Sequence, residues 1–299
     1  MPEHFKLVET APGVHAAVAD ITGAAVGNAT IIDTGSKTVV VDTFMTAQAA
    51  AELRKAAVEL TGRSAFLVVN THWHGDHTSG NQVFADAVIV STRTTLDLMV
   101  ADAPADLTAY EAEVDGYIAS FRAKLDSSDE AERALAKRRI AGLEQLRQAI
   151  PGFRLTLPDV LVDDRLVITG GRDLQVITYG GGHTDSDTFV WMPAERLLVS
   201  GDLCWTRIHP RIHDGHPAAW AAILDRVLDL NPVTVIPGHG SPAGSEVPEA
   251  LAPYFRAVDS MVDEVSTGAD PASLPLPAGS EGWDGPERLR DGLAVLAKR

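Results

Sequence analysis

Along the first 42 residues, apolar positions fall in short β-type runs, Phe5–Glu9, Val14–Asp20, Ala29–Asp33 and Thr38–Asp42, punctuated by Gly13, Gly23, Gly27 and Gly35. Short runs between glycines predict antiparallel hairpins. The alanine-rich stretch from Ala47 to Leu60 predicts a helix that stops near Gly62. The pattern then becomes strand–loop–helix, with buried strands at Phe66–Asn70 and Val88–Ser91. A strand-rich opening followed by alternation predicts sheets covered by helices on their outer faces.

From about Leu107 to Ile150 that rhythm breaks. Tyr110, Val114, Tyr117, Ile118, Phe121 and Leu125 recur at helical spacing. Ser127 and Glu130 have the spacing of a capping box, which predicts a second helix through Leu135, Leu143 and Leu146, closed by Pro151-Gly152. The prediction is a helical hairpin, about 105–150, inserted into the α/β body, where it packs on that body, covers substrate or contacts a second copy of the chain. Strands resume at Leu166–Thr169, Leu174–Tyr179, Thr188–Met192 and Leu197–Ser200. A helix from about Pro217 to Leu230, a strand at Val233–Ile236 and a helix around Val247–Val265 follow. Residues 1–266 therefore read as a single domain with this insertion, and 267–299 as an irregular linker and a short final helix.

Composition narrows the partners. The chain has 299 residues and a formal net charge of −16, a surface expected to repel nucleic acid and anionic membrane. The densest basic run, Lys137-Arg138-Arg139, lies among acids on a helical pattern. No apolar run approaches the roughly 20 residues of a membrane span. The opening residues lack a secretory pattern, so the expected location is cytoplasmic. The lone cysteine, Cys204, excludes an intrachain disulfide framework and a cysteine-based zinc finger.

The segment Thr71-His72-Trp73-His74-Gly75-Asp76-His77-Thr78 carries the chemistry, placing His72, His74, Asp76 and His77 directly after an apolar strand. Histidines two apart in an extended segment point the same way, and Gly75 eases the turn that presents Asp76 and His77. Three further candidates share one context, the carboxyl end of an apolar strand beside glycine: His183 after Gly180-Gly181-Gly182, Asp202 after Gly201, and His239 between Gly238 and Gly240. Strand ends are where clefts form in α/β folds. Five imidazoles, two carboxylates and no thiolate suit zinc, with iron or manganese as alternatives. Seven side chains exceed the four of a structural zinc site and match two ions sharing an activated hydroxide.

The run His72-Trp73-His74-Gly75-Asp76-His77 resembles the HxHxDH motif of the metallo-β-lactamase-fold hydrolases, and Gly182-His183-Thr184, Ser200-Gly201-Asp202 and Gly238-His239-Gly240 follow in that family's order. The resemblance spans about Val14 to Gly244. It implies a four-layer αββα sandwich. It also implies that His72, His74 and His183 bind a first metal and Asp76, His77 and His239 a second, with Asp202 bridging. Asp42, ending Val39-Val40-Val41, matches an aspartate that orients the ligand loop. Asp at 202 is similar to glyoxalase II-type dinuclear members, while the Asn81–Phe84 and Asp185–Thr188 runs are similar to thioesterase or cyclase-like members. Some lactamases have Cys at the bridging position and Lys three residues on, where this chain has Trp205.

After Asp202, the segment 205–216 is expected to border the cleft, which makes Arg207, His209, Arg211 and His213 candidate substrate-binding residues. The leading expectation is a dinuclear zinc hydrolase in which a metal-bridging hydroxide, oriented by Asp76, attacks a small-molecule ester, thioester or lactone, with β-lactam cleavage as an extension. The alternatives are a mononuclear iron oxygenase of the same fold and a non-catalytic metal-binding or interaction protein.

Overall fold

Strand pairing in the first half of the chain follows the glycine punctuation. In the computed structural model, which describes residues 2–299, β1 (Phe5–Ala11), β2 (Val14–Ala19), β3 (Ala29–Asp33) and β4 (Thr38–Val41) pair antiparallel in succession, with Phe5 opposite Ala19 and Thr30 opposite Val41. Helix α1 (Ala47–Thr61) is capped by Thr46, whose side chain accepts from the Ala49 amide. It ends at Gly62 in the left-handed region, φ 68°. The crossover makes β5 (Phe66–Val69) parallel to β4, and β6 (Val88–Ser91) parallel to β5. Between them lie the one-turn helix α2 (Gly75–Thr78) and a 3-10 segment, Ser79–Phe84.

Three helices follow, α3 (Arg93–Asp102), α4 (Leu107–Arg122) and α5 (Glu130–Ala149). The hairpin expected at 107–150 is α4 with α5, joined by Val114, Ile118 and Ile150 packed with Leu107, Tyr110, Leu143 and Leu146. The cap of α5 differs from the expectation. Asp129, not Ser127, accepts from the Ala131 and Glu132 amides, and the Ser127 hydroxyl donates to Glu132 instead. A carboxylate so close to the first turn outcompetes a hydroxyl two residues earlier for those amides.

The chain divides into two compact units, one of residues up to Val90 with Leu96–Val160, the other of Ser91–Thr95 with Leu161–Arg299. The first holds the sheet ordered β1 to β6, with β7 (Val160–Leu161) last in that order where the chain passes onward. Its core gathers Ile31, Val40, Phe44, Leu53, Val68 and Phe84. The second holds β8 (Arg165–Ile168), β9 (Leu174–Gly180), β10 (Asp187–Met192), β11 (Leu197–Trp205) and β12 (Thr234–His239), in the order β12-β11-β10-β9-β8. All its pairs are antiparallel except β11 with β12, which α6 (Pro217–Asp229) connects as a crossover. The expected strand ending at Ser200 runs on to Trp205 through a register shift at Gly201, φ 51°. Asp202 therefore sits within β11 rather than after it.

Helices α7 (Glu246–Ser266) and α8 (Pro286–Leu296) complete the second unit. Its core joins Phe189, Leu198, Trp220, Leu224, Leu251 and Phe255 to Leu289, Leu293 and Leu296 of α8. The final helix is thus part of this core, and Gly292 lets it approach Ile212 closely enough that a Cβ there would collide. Among the described residues no helix is long and apolar enough to cross a membrane.

Trp220 anchors the second core. It is fully buried, stacks on Phe255 at 3.7 Å between ring centroids and donates its indole N–H to Leu203 O at 3.0 Å. Trp220→Ala is expected to destabilise the protein by about 3–5 kcal/mol, read as a shift in the urea unfolding midpoint, with Trp220→Phe losing clearly less.

Candidate metal centre

In the first unit the donors are presented where β5 ends. Asp42 follows β4 in the left-handed region, φ 62°, which turns its carboxylate toward the neighbouring strand's continuation. There it accepts from the Thr71 amide and the Thr71 hydroxyl, each at 2.8 Å, and contacts His77 Nδ1 at 2.8 Å. Burial pushes the Asp42 carboxyl up, while His77 and the Thr71 donors pull it down. A carboxylate on Nδ1 selects the tautomer in which Nε2 carries the lone pair, the arrangement common behind metal-ligating histidines.

His72, His74 and His77 are buried and Asp76 is half-buried. His72 Nε2 lies 3.1 Å from His74 Nδ1, and His77 Nε2 lies 3.5 Å from Asp76 Oδ2. The turn carrying them is stapled from below. The His77 carbonyl accepts from the Thr43 amide (3.0 Å), the Thr43 hydroxyl (3.2 Å) and the Asn70 side-chain amide (3.2 Å). Asn70 and Asn81 exchange side-chain amide bonds of 2.8 and 3.0 Å. On the other side, a Cβ at Gly27 would lie 2.8 Å from His77 Nε2 and 2.9 Å from Asp76 O. Only glycine fits there.

The second unit builds a matching group. β9 ends at Gly180, φ 99°, and Asp187 gathers the turn that follows by accepting from the amides of Gly182 (2.8 Å), His183 (2.8 Å) and Thr184 (3.2 Å), and from the Thr184 hydroxyl (2.8 Å). Burial pushes the Asp187 carboxyl up, against the pull of His183 and these donors. Asp202 Oδ2 stands 3.2 Å from His183 Nε2 and 3.3 Å from His239 Nε2. Trp205 stacks on His239 at 3.8 Å, and Trp220 and His183 meet in a T-shaped pair at 5.1 Å between ring centroids. Gly238 lies so close to Asp202 that a Cβ would overlap the carboxylate.

The seven expected donors are therefore assembled as buried or half-buried groups, four in one unit and three in the other, and all seven are side chains that can hold a metal ion. The other expected residues are more scattered in environment. Arg207 and Arg211 are exposed. His209 is fully buried, its Nδ1 3.0 Å from the Tyr254 hydroxyl and its ring beside Trp283, and burial lowers its pKa. His213 is half-buried and also lowered, first by burial and then by Arg211. Cys204 is buried, which pushes its thiol up to about 12, so it stays protonated.

Two features have no counterpart in the sequence expectations: the Asp187 clamp on the His183 turn, and the Asn70–Asn81 pair under His77. In sequence the Asp185–Thr188 and Asn81–Phe84 runs offer only a likeness to thioesterase or cyclase-like members, and no local pattern names the amides Asp187 gathers or bridges the eleven-residue gap between the asparagines.

A family model for the metallo-beta-lactamase superfamily matches residues 22–239, a span containing all seven donors. The chain belongs to that superfamily. Its homologues there are metal-dependent hydrolases, and the α/β class with two sheets and helices is the metallo-β-lactamase fold. A beta-lactamase-like protein 2 homolog from Caenorhabditis elegans is 24% identical over 234 residues, 77% of this chain and 60% of that protein. A metallo-beta-lactamase type 2 from Bacteroides fragilis is 33% identical over 103 residues, 32% of this chain and 41% of that protein. The chain thus spans less than two thirds of either relative's length. Among solved structures, a metallo-beta-lactamase from Pontibacter korlensis superposes with a TM-score of 0.61 at 16% identity, covering 85% of this chain and 99% of that one. An inverting sec-alkylsulfatase from Pseudomonas sp. superposes with 0.71 at 17% identity, covering 99% of this chain and 50% of that one. At such identities the superpositions show shared fold.

Asp187 orders three successive amides with a single buried carboxylate. Asp187→Ala strands those donors and is expected to cost about 2–4 kcal/mol, measured by urea unfolding of the metal-free protein. Asp187→Asn, which keeps one acceptor oxygen, is expected to cost less.

Proposed function

We propose that the two donor groups act together as a dinuclear zinc centre. In this reading His72, His74 and His183 hold one ion, Asp76, His77 and His239 hold the other, and Asp202 is shared. The chain is a hydrolase of a small-molecule ester, thioester or lactone. The observation that carries the reading is Asp202, whose single oxygen Oδ2 stands nearly equidistant from His183 and His239, the imidazoles assigned to different ions. An all-nitrogen and oxygen donor set without thiolate fits zinc, and its size leaves coordination positions for solvent and substrate.

Bound there, the ions would supply Lewis acidity and water activated near neutral pH. The residues of this chain do the remaining work. Asp42 holds His77 in one tautomer and orientation. Asp187 does the same for the backbone that aims His183. In this reading Asp76, which is half-buried beside His77, orients the attacking water and accepts its proton. Aromatic rings back the donors within each unit, Trp73 against His74 at 4.3 Å in the first, Trp205 against His239 at 3.8 Å and Trp220 beside His183 at 5.1 Å between ring centroids in the second. Small neutral acyl compounds match an acidic protein better than nucleic acid does.

A panel of chromogenic esters, thioesters, lactones and cephalosporins tests the reading, with an alkyl sulfate added because the alkylsulfatase fold covers nearly the whole chain. Turnover of at least one acyl class is expected, lost with a chelator and restored by zinc. Elemental analysis is expected to give two zincs per chain; a single iron would instead favour the oxygenase. Asp76→Ala is expected to lower kcat by about 10²–10⁴-fold with the circular dichroism spectrum unchanged. His183→Ala is expected to remove one equivalent of zinc along with turnover. Absence of chelator-sensitive turnover on every class would overturn the hydrolase assignment.

A further inference from the structure

The inserted hairpin touches the first donor group through an intermediary. Residues 20–28, which connect β2 to β3, form a loop with Thr22, Ala24, Ala25, Gly27 and Asn28 buried. At one end this loop lies on the metal-centre residues, because Gly27 backs directly onto His77 Nε2 and Asp76 O. At the other end it lies on α5. Arg139 Nη1 donates to Ile21 O at 2.9 Å. Gly142 lets the helix backbone press against the loop, since a Cβ there would sit 3.0 Å from Gly23 C and O and closer still to Thr22 O.

The loop is organised to transmit position from one end to the other. Asp20 accepts from the Thr22 amide and hydroxyl at 2.8 and 2.7 Å, and Ala25 O accepts from the amides of Gly27 (3.0 Å) and Met45 (3.1 Å). Val26 is held at φ 65°, a conformation costly for a β-branched residue by about 1–3 kcal/mol and kept only where the surroundings impose it. The junction with α5 is otherwise loosely filled. A cavity of about 50 Å³ remains there, lined by Val26, Met45, Leu143 and Leu146 and by Arg139 and Gly142 themselves. It is crossed by the Arg139 hydrogen bond to Ile21 O and by the close approach of Gly142 to Thr22 and Gly23.

Resting on the dinuclear reading above, we propose that α5 is a brace for the metal centre: Arg139 and Gly142 set the height of the 20–28 loop over His77, and so set the geometry of the half of the centre formed by His77 and Asp76. Both are positioning residues. The insertion thereby becomes a determinant of the second ion's affinity.

The test titrates metal-free protein with zinc, and with cobalt(II) followed by its visible absorption, for wild type, Gly142→Ala, Arg139→Met, Arg139→Lys and the exposed control Lys137→Met. Wild type and Lys137→Met are expected to take up two equivalents alike. Gly142→Ala and Arg139→Met are expected to weaken one equivalent by about 10–100-fold, the usual effect of losing an outer contact to a ligand, while the other binds as before. Arg139→Lys is expected to recover part of the loss. On the substrate found with the panel, kcat should fall with KM little changed. Should Gly142→Ala fail to fold, Arg139→Met carries the test, since it removes the side-chain hydrogen bond to Ile21 O and leaves the close backbone approach at Gly142 in place. Folded variants that bind both equivalents with wild-type affinity overturn the brace, as does equal weakening of both. Wild type that binds fewer than two ions overturns the dinuclear reading itself, and the brace with it.

Discussion

A carboxylate taken out of water costs several kcal/mol unless its oxygens are filled by donors, and this protein meets that requirement with two aspartates that are not themselves assigned to metal. Asp42 fills its oxygens with the Thr71 amide, the Thr71 hydroxyl and His77. Asp187 fills its oxygens with three successive amides and the Thr184 hydroxyl. In each case the desolvation that would destabilise the acid is offset only if a histidine-bearing turn adopts one conformation. Folding and the alignment of the donors are consequently the same event. Losing either acid would be felt first as stability and then as chemistry.

Glycine supplies the complementary device, close approach. Gly27 admits its loop against His77, Gly238 admits β12 against Asp202, and Gly80 lets the turn after His77 press on the Thr43 carbonyl. A side chain at any of these positions would push a donor or its support out of place. The same device recurs where added helices meet the scaffold, at Gly142 on α5 and Gly292 on α8. Helix α5 is attached by close approach to the loop that backs onto His77, and α8 by close approach to the Ile212 side chain. That makes them candidates for tuning the site without contributing a ligand.

Much of this was legible along the chain. Strands β1 to β6, α1 and the α4–α5 hairpin match the expected runs within a few residues, because alternation, apolar runs and glycine stops are local signals. The cluster from His72 to His77 was equally plain, since four donors within six residues have no ordinary structural explanation. Less was visible where tertiary contacts override local ones. Asp129 displaced Ser127 as a cap, β11 continued through Asp202 because β12 pairs with it, and His209 turned into the core toward Tyr254 although its neighbours Arg207 and Arg211 stay exposed.

Residue types and their spacing determined the family and the α/β class, and singled out seven side chains that can hold a metal ion, because a metal site needs particular atoms and those atoms are written in the sequence. The structure alone decided how each donor is held: which ring nitrogen Asp42 engages, which amides Asp187 gathers, and which loop rests on His77. The Asp187 clamp closes over three to five positions, whereas the first and last of those outcomes depend on residues 35 or more positions apart coming together, as Asp42 and His77 do. Such a meeting follows from the packing of whole strands and helices rather than from any pattern within one of them.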